Sequence, residues 1–269
     1  MENIILDRLR DEKNFGISGG LYEYTKVWLT YTSNTIEGST VSLEDTHAIL
    51  TTGRLNGKDY PKLNDAIQTR NHGMAFDYML DIAEQKLTEE QIKHFHHLLF
   101  WGTEEAMKTW FAVGDYKKEA NRIGLLTETS SPEETPEHMK TWLDDCQSET
   151  KPQLKEIALA HYGFETIHPF QDGNGRIGRL IIFKECLYHN IPPLIITPEI
   201  KPWYMTALNE CRQGLPNRLF ETCGKAQDDY QLICVKFIKE YPLPKELQSD
   251  LSESMEVVIT KSGNKGLEH

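Results

Sequence analysis

The chain is poor in positive charge, in cysteine and in long apolar runs, and each shortage excludes a class of function. Lys and Arg number 29 against 41 Asp and Glu, a formal net charge of −12. That balance argues against binding nucleic acid through its backbone, which needs a basic face. The five cysteines (Cys146, Cys186, Cys211, Cys223, Cys234) are odd in number and form no C-x-x-C, which suits reduced thiols in a cytoplasm better than a disulfide framework. No segment has the apolar length to cross a bilayer, so no membrane partner is expected. Residues 1–20 carry Glu2 and Asp7 with no apolar run and do not read as a signal peptide. Leu267-Glu268-His269 resembles the start of a purification tag and is set aside. The phosphate-loop pattern G-x-x-x-x-G-K-[ST] is missing, as are internal repeats and low-complexity runs. What remains is soluble globular material, 269 residues with 39% hydrophobic and 26% charged, enough to bury a sizeable core.

Chemistry is concentrated in one stretch, His168-Pro169-Phe170-Gln171-Asp172-Gly173-Asn174-Gly175-Arg176-Ile177-Gly178-Arg179. Glycines flanking Asn174 let a ligand approach the backbone amides with no Cβ in the way, as an anion nest requires. From Ile177 the pattern turns helical, so the loop delivers its ligand to a helix N-terminus, where free N–H groups and the dipole favour negative charge. Arg176 and Arg179 stand three apart on the first turn, and two guanidiniums beside a ring of amides point to a polyphosphate rather than a lone carboxylate. Asp172 is an oxygen donor suited to Mg²⁺, which keeps one or two carboxylates together with phosphate oxygens and water. His168 is the proton acceptor for an incoming hydroxyl.

Two plainer readings stand beside this one. Gly173-x-Gly175-x-x-Gly178 is formally a G-x-G-x-x-G, with Glu199 roughly where a ribose-binding acid would be sought. That fold needs a strand before the glycines, whereas residues 150–167 read as a helix. The other reading is an inert surface loop.

The run resembles the Fic-family motif HPFx(D/E)GNGRxxR and meets it at every fixed position. The resemblance implies a mostly helical fold and transfer of a nucleoside monophosphate, usually AMP from ATP, to a Ser, Thr or Tyr hydroxyl of a protein, the enzyme itself included. It implies His168 as the base, Asp172 as the Mg²⁺ ligand, Gly173, Asn174 and Gly175 as the anion nest, and Arg176 and Arg179 as phosphate clamps. Ser33-Asn34-Thr35-Ile36-Glu37-Gly38 is similar to the family's inhibitory motif (S/T)xxxE(G/N), in the class that carries it N-terminal to the core. On that likeness Glu37 pairs with Arg179 and displaces the γ-phosphate of ATP, with Ser33 as a hydrogen-bonding strut. Without the likeness, Ser33 and Glu37 are simply neighbours at a solvated helix end.

Along the chain, Tyr24, Val27, Trp28 and Tyr31 have helical spacing and predict an aromatic core face on a helix from Leu21 to a stop at Gly38. Ser42 and Asp45 open a helix ending near Gly53. A polar loop with Asn56-Gly57 and Pro61 follows, then a helix from Leu63 to about Gln85 with Ile67, Ala75, Tyr78, Met79 and Ile82 inward. Thr88 and Gln91 cap the next helix. Its His94, His96 and His97 could be read as a metal cluster, but no partner has ligand spacing, and packing is preferred. Gly114-Asp115-Tyr116-Lys117 and residues 121–127 read as a turn and a short extended element. That element resembles the Fic flap, about residues 114–132, whose edge takes the target peptide as an added strand.

Residues 136–146 predict a helix with Met139, Trp142 and Leu143 inward. Thr150, with Pro152 in the first turn, opens a helix with Ile157, Ala160, His161, Phe164 and Ile167 as its stripe, His161 packed and hydrogen-bonded. The glycine-loop helix runs to about Asn190, before Pro192-Pro193. A helix from Pro202 carries Tyr204, which the resemblance makes an adenine neighbour; its alternative is core packing. Met205 stands where the family often has a second tyrosine. The last helix, about residues 228–239, carries Leu232, Val235 and Phe237, and the polar tail after Pro244 reads as frayed.

The expectation is an all-α Fic-fold bundle of about eight to ten helices with a small β-hairpin. It forms one domain over residues 1–269, with an inhibitory helix at 21–38, a catalytic loop at 168–179 and a C-terminal helix and tail at 215–269. The resemblance, which covers about residues 21–214, implies a self-inhibited protein adenylyltransferase using ATP and Mg²⁺, and the cysteine usage points to a cytoplasmic location. Its partner is a protein docked on the flap, with a homo-oligomer left open. Rivals are a Fic-type enzyme with another nucleotide or phosphocholine as donor, hydrolytic removal of AMP, and a non-catalytic nucleotide-binding module. The kinase branch replaces the nest glycines, which are present here.

Overall fold

A computed structural model describes residues 3–55, 61–123, 127–148 and 151–247. Among them are ten α-helices, two 3-10 turns and a two-stranded hairpin, the expected all-α fold with a small β element. The helix α8 (Asn174–Tyr188) lies at the centre, because Ile177, Leu180, Ile181, Ile182, Phe183, Cys186 and Leu187 are apolar on every side of it. Around it pack α2 (Leu21–Ile36), α4 (Leu63–Asp81), α5 (Glu89–Phe100) and α7 (Leu154–Ile167). Their shared core includes Leu29, Phe76, Met79, Phe95, Phe164 and Phe170. The functional loop is the short link between α7 and α8, so a close-packed interior fixes both its ends.

On α2 the aromatic expectation is corrected. Val27 is buried as expected, together with Leu21, Thr25, Leu29, Thr30, Thr32, Ser33, Asn34 and Ile36, while Tyr24, Trp28 and Tyr31 are half-buried. Tyr24 and Trp28 stack at 6.4 Å between centroids, and Tyr24 meets Phe237 at 5.6 Å on the end of α10 (Asn217–Phe237). The helix runs between neighbours on several sides, so its inner face is chosen by what it touches rather than by its largest side chains. It ends where expected: Glu37 is the C-cap and Gly38 takes φ 93°.

Several boundaries also move. An unassigned helix, α1 (Ile4–Phe15), is capped by Asn3, whose side-chain amide donates to the Leu187 carbonyl at the end of α8 at 2.6 Å. The helix α3 (Leu43–Thr52) has its expected caps at Ser42 and Gly53. α4 ends at Asp81 rather than Gln85, with Ile82 as its cap and Ile67 half-buried. It also buries Asn71 and His72, which apolar periodicity could not flag. α5 carries the expected capping box of Thr88 and Gln91, and α6 (Thr135–Ser148) buries Met139, Trp142 and Leu143. α7 starts at Leu154 with Gln153 and Glu156 forming its capping box, so Pro152 precedes the helix; Thr150 lies outside the described residues, as do Asn56 and Gly57. Ala158 takes the buried place expected of Ala160. α9 (Lys201–Cys211) follows the prediction, whereas α10 begins at Asn217 rather than Asp228 and buries Tyr230 and Cys234 in place of Leu232 and Val235. All five cysteines are free. No described helix is long and apolar enough to cross a membrane.

Candidate active site

The loop is built from the helix end outward. At His168 the chain leaves α7 in the left-handed region (φ 53°, ψ 59°), its N–H still donating to the Phe164 carbonyl at 2.9 Å. Phe170 then turns inward to complete burial, its ring stacked on His96 with centroids 4.3 Å apart and 6° between planes. That explains one member of the histidine trio: the His96 ring supports the loop, and its Nδ1 accepts from the Gly114 N–H at 2.8 Å. Asn174 closes the turn. Its Oδ1 accepts from the Phe170 N–H at 2.8 Å and its Nδ2 donates to the Phe170 carbonyl at 2.7 Å. The Asn174 side chain is therefore committed to the loop, which leaves its backbone for the anion nest. Gly173 enters α8 at φ 81° with the Phe100 ring where a Cβ would stand, so no other residue fits without displacing the core.

Both arginines are buried, each 3% exposed, and their charges are met from different sides. Arg176 donates to the Gln68 side chain, lies over the Phe100 ring at 5.2 Å and stands 3.7 Å from the Asp172 carboxylate. Arg179 reaches the C-terminal end of α2. Its Nε donates to Ser33 Oγ at 2.9 Å, and its Nη2 donates to the Ser33 carbonyl at 3.1 Å and to Glu37 Oε1 at 2.6 Å. The Glu37 carboxylate also occupies the space a Cβ on Gly175 would need, so it rests against the first turn of α8. Burial works to raise its pKa, but Arg179, Arg176 and Lys201 outweigh that and hold it ionised below the usual range.

His168 Nδ1 lies 3.3 Å from the Glu165 carbonyl. A carbonyl only accepts, so the proton is assigned to Nδ1 and Nε2 keeps a free lone pair. Burial, reinforced by the nearby Lys117 ammonium, pushes the imidazole down to about 4, and the ring is neutral at ordinary pH. The Asp172 side chain is 56% exposed, with Oδ1 accepting from the Gly173 N–H at 2.6 Å. Among the described residues no cluster of three or more His, Cys, Asp or Glu could hold a metal. A metal here would have to share its shell with ligand oxygens.

Beneath the loop lie groups that sequence patterns did not single out. Glu165 is 6% exposed, and burial pushes its carboxyl up to about 7. Its signal is weak, a lone acid between the buried Phe164 and the half-buried Ile167. Lys117, 3% exposed, donates into the loop from the base of the hairpin. Tyr204 is 2% exposed, its hydroxyl 2.5 Å from His161 Nε2. Both observations describe a side chain packed in the core of this structure. The hairpin pairs Arg122 with Glu128 and Ile123 with Thr127; residues 124–126 lie outside the described set.

A family model described as the Fic/DOC family matches residues 86–185. Protein adenylyltransferase fic-1 of Caenorhabditis elegans is 28% identical over 190 residues, covering 68% of this chain and 36% of that protein. Protein adenylyltransferase Fic of Drosophila grimshawi is 29% identical over 193 residues, covering 68% and 38%. The chain thus spans little more than a third of the length of these curated relatives. Among solved structures, a Fic domain containing signaling protein from Bacteroides thetaiotaomicron aligns with a TM-score of 0.72 at 24% identity, over 90% of this chain and 99% of that one. Fic-1 from Caenorhabditis elegans aligns at 0.64 and 22% identity, over 85% and 69%. At these identities the structural likeness is one of fold.

Proposed function

The chain carries a Fic domain, and from that premise we propose that it transfers AMP from ATP to a hydroxyl of a protein, with Glu37 as an internal brake. The observation that carries this reading is the neutral His168 imidazole with a free Nε2 beside a helix N-terminus that holds two buried guanidiniums. The amides of residues 173–175 and the side chains of Arg176 and Arg179 bind the phosphates. His168 Nε2 takes the proton of the acceptor hydroxyl as its oxygen attacks the α-phosphorus. A new P–O bond forms, the bond to the β-phosphate breaks, and pyrophosphate leaves. Positioning and electrostatics do most of the work in such transfers. The exposed carboxylate of Asp172, beside the phosphate cradle and with few protein ligands around it, suits Mg²⁺. When bound, that ion would draw negative charge from the phosphate oxygens.

Regulation is proposed at Arg179. With Glu37 on the guanidinium, ATP binds without its γ-phosphate clamp and the α-phosphorus is misaligned, and a small misplacement costs on the order of a hundredfold. Main-chain pairing along the hairpin edge would present Ser, Thr or Tyr of differing sequences, the enzyme's own included.

The test is a Glu37→Gly protein incubated with lysate, Mg²⁺ and ATP labelled at either the α- or the γ-phosphate. Label arriving on protein from the α-position alone supports AMP transfer. Label from the γ-position would make the enzyme a kinase, and nucleotide binding with no protein label would make it a binding module. His168→Ala in the same background should lower labelling by about 10²- to 10⁴-fold with the fold intact.

A further inference from the structure

Lys117 sits at the base of the hairpin with its ammonium buried beneath the loop. Its Nζ has four oxygen partners: Asn121 Oδ1 at 2.8 Å, Thr129 Oγ1 at 2.9 Å, the His168 carbonyl at 2.9 Å and the Ile167 carbonyl at 3.3 Å. Two belong to the hairpin and two to the end of α7. The arrangement continues on both sides. The Lys117 N–H donates to the Pro169 carbonyl at 2.9 Å, and Asn121 Nδ2 donates to the Phe170 carbonyl at 2.8 Å. Thr129 Oγ1 donates to Asn121 Oδ1 at 2.6 Å, and the Ser130 N–H donates to the Ile167 carbonyl at 3.3 Å.

The placement of that cation has two consequences. The last carbonyls of a helix lack intrahelical donors and sit at the negative end of its dipole, so a positive side chain there is stabilising. Here it meets the carbonyl of the residue that supplies the base. His168 is also one of two non-glycine residues with positive φ among those described, a conformation that side chains with a Cβ resist and that surrounding contacts must impose. Lys117 supplies such a contact on the carbonyl side, as the Phe164 carbonyl does on the N–H side.

We infer that Lys117 is a positioning residue that locks the backbone of His168 and the base of the flap into one register. The separation between the base and an acceptor strand on the hairpin is then held by that buried ammonium, with the Asn121 side-chain bond and the Ser130 and Lys117 backbone bonds beside it. This rests on the reading of the site as a protein-hydroxyl transferase. All four partners are uncharged oxygens, so the full positive charge remains directed at the loop, consistent with its push on the His168 imidazole toward the neutral form. Burial draws the ammonium itself down to about 8, still protonated at neutral pH.

The experiment compares Lys117→Met, Lys117→Arg and Thr129→Val in a Glu37→Gly background by two readouts. The first is AMP transfer to a protein acceptor alongside ATP affinity. Lys117→Met should lower turnover about tenfold to a hundredfold with ATP affinity unchanged, and arginine should restore part of it. The second is hydrogen exchange, which needs no activity. Lys117→Met should speed exchange in residues 117–123 and 127–130 and in residues 167–170 together, while α4 and α10 keep their protection. Thr129→Val, which removes only a hairpin partner, should show the same pattern more weakly.

Turnover equal to the Lys117 parent would overturn the inference, as would faster exchange in only one of the two segments or evenly through the fold. If the parent itself transfers no AMP, the functional reading fails, and the exchange pattern alone decides whether Lys117 couples flap and loop.

Discussion

Glu37 and Arg179 are 142 positions apart in sequence, yet the carboxylate of one accepts from the guanidinium of the other at 2.6 Å. The pair lies where α2 ends against the first turn of α8, with the carboxylate on the Gly175 backbone and the guanidinium 3% exposed. A carboxylate so placed resembles the phosphate that the same amides and guanidinium would hold. On the proposed reading, carboxylate and phosphate compete for one cradle.

Ser33 accepts from Arg179 Nε at 2.9 Å and so helps fix the guanidinium toward α2. A hydrogen bond to a charged group contributes about 1.5–3 kcal/mol, and Arg179 keeps the Ser33 carbonyl and Glu37 as partners, so at the low end of that range Ser33→Ala should raise AMP transfer by about tenfold, less than removal of Glu37. Initial rates of labelling from ATP in the single variants check the order.

Gly175 is the cradle glycine at which a Cβ would meet the Glu37 carboxylate. In a Glu37→Gly background, where the carboxylate that a Cβ would meet is gone, Gly175→Ala, at a helical position that alanine favours, should leave thermal stability nearly unchanged. It should weaken ATP binding by at least about tenfold, because the methyl group occupies the space of the anion. Titration calorimetry with ATP in a Glu37→Gly background tests this, and an unchanged affinity would remove the phosphates from that turn.

Stability should depend on pH with two opposite signs. Burial holds His72, His96 and His161 each at about 3, below their ordinary 6.5. Their contribution is present above 6.5 and is lost as pH falls from there toward 3. Glu165 is the reverse case: its carboxyl is raised from 4.5 to about 7, so its contribution is complete below 4.5 and is lost as pH rises through 7. A shift of that size corresponds to about 3 kcal/mol. Glu165→Gln, which mimics the neutral acid, should therefore match the parent at about pH 5 and melt higher than it at about pH 8. Melting temperatures across that range check the prediction, and parallel curves would contradict it.

The residues of 168–179 were legible because their chemistry is contiguous: glycines, arginines and an imidazole sit within one turn and its flanks, and local rules suffice there. Ser33 and Glu37 were legible only through likeness to a family, since nothing local in a helix end announces a partner on α8. Lys117 was read as part of a turn, because its burial follows from carbonyls 50 and 51 positions downstream. The aromatic side of α2 was misjudged for a physical reason. Periodicity tells which residues lie on one face but not which neighbour covers that face. The start of α10 was missed because the polar residues around Glu221 and Gln227 hide a buried line of Leu219, Cys223, Ala226 and Tyr230.

Glu37 is proposed to restrain a transferase centred on His168 and Arg179. The most direct measurement is intact-protein mass spectrometry of the parent and Glu37→Gly proteins after incubation with ATP and Mg²⁺. An AMP adduct is expected on the Glu37→Gly protein well above the parent, with none when His168→Ala is added. Equal modification of the two would remove the brake, and nucleotide bound with no adduct on either would contradict transfer itself.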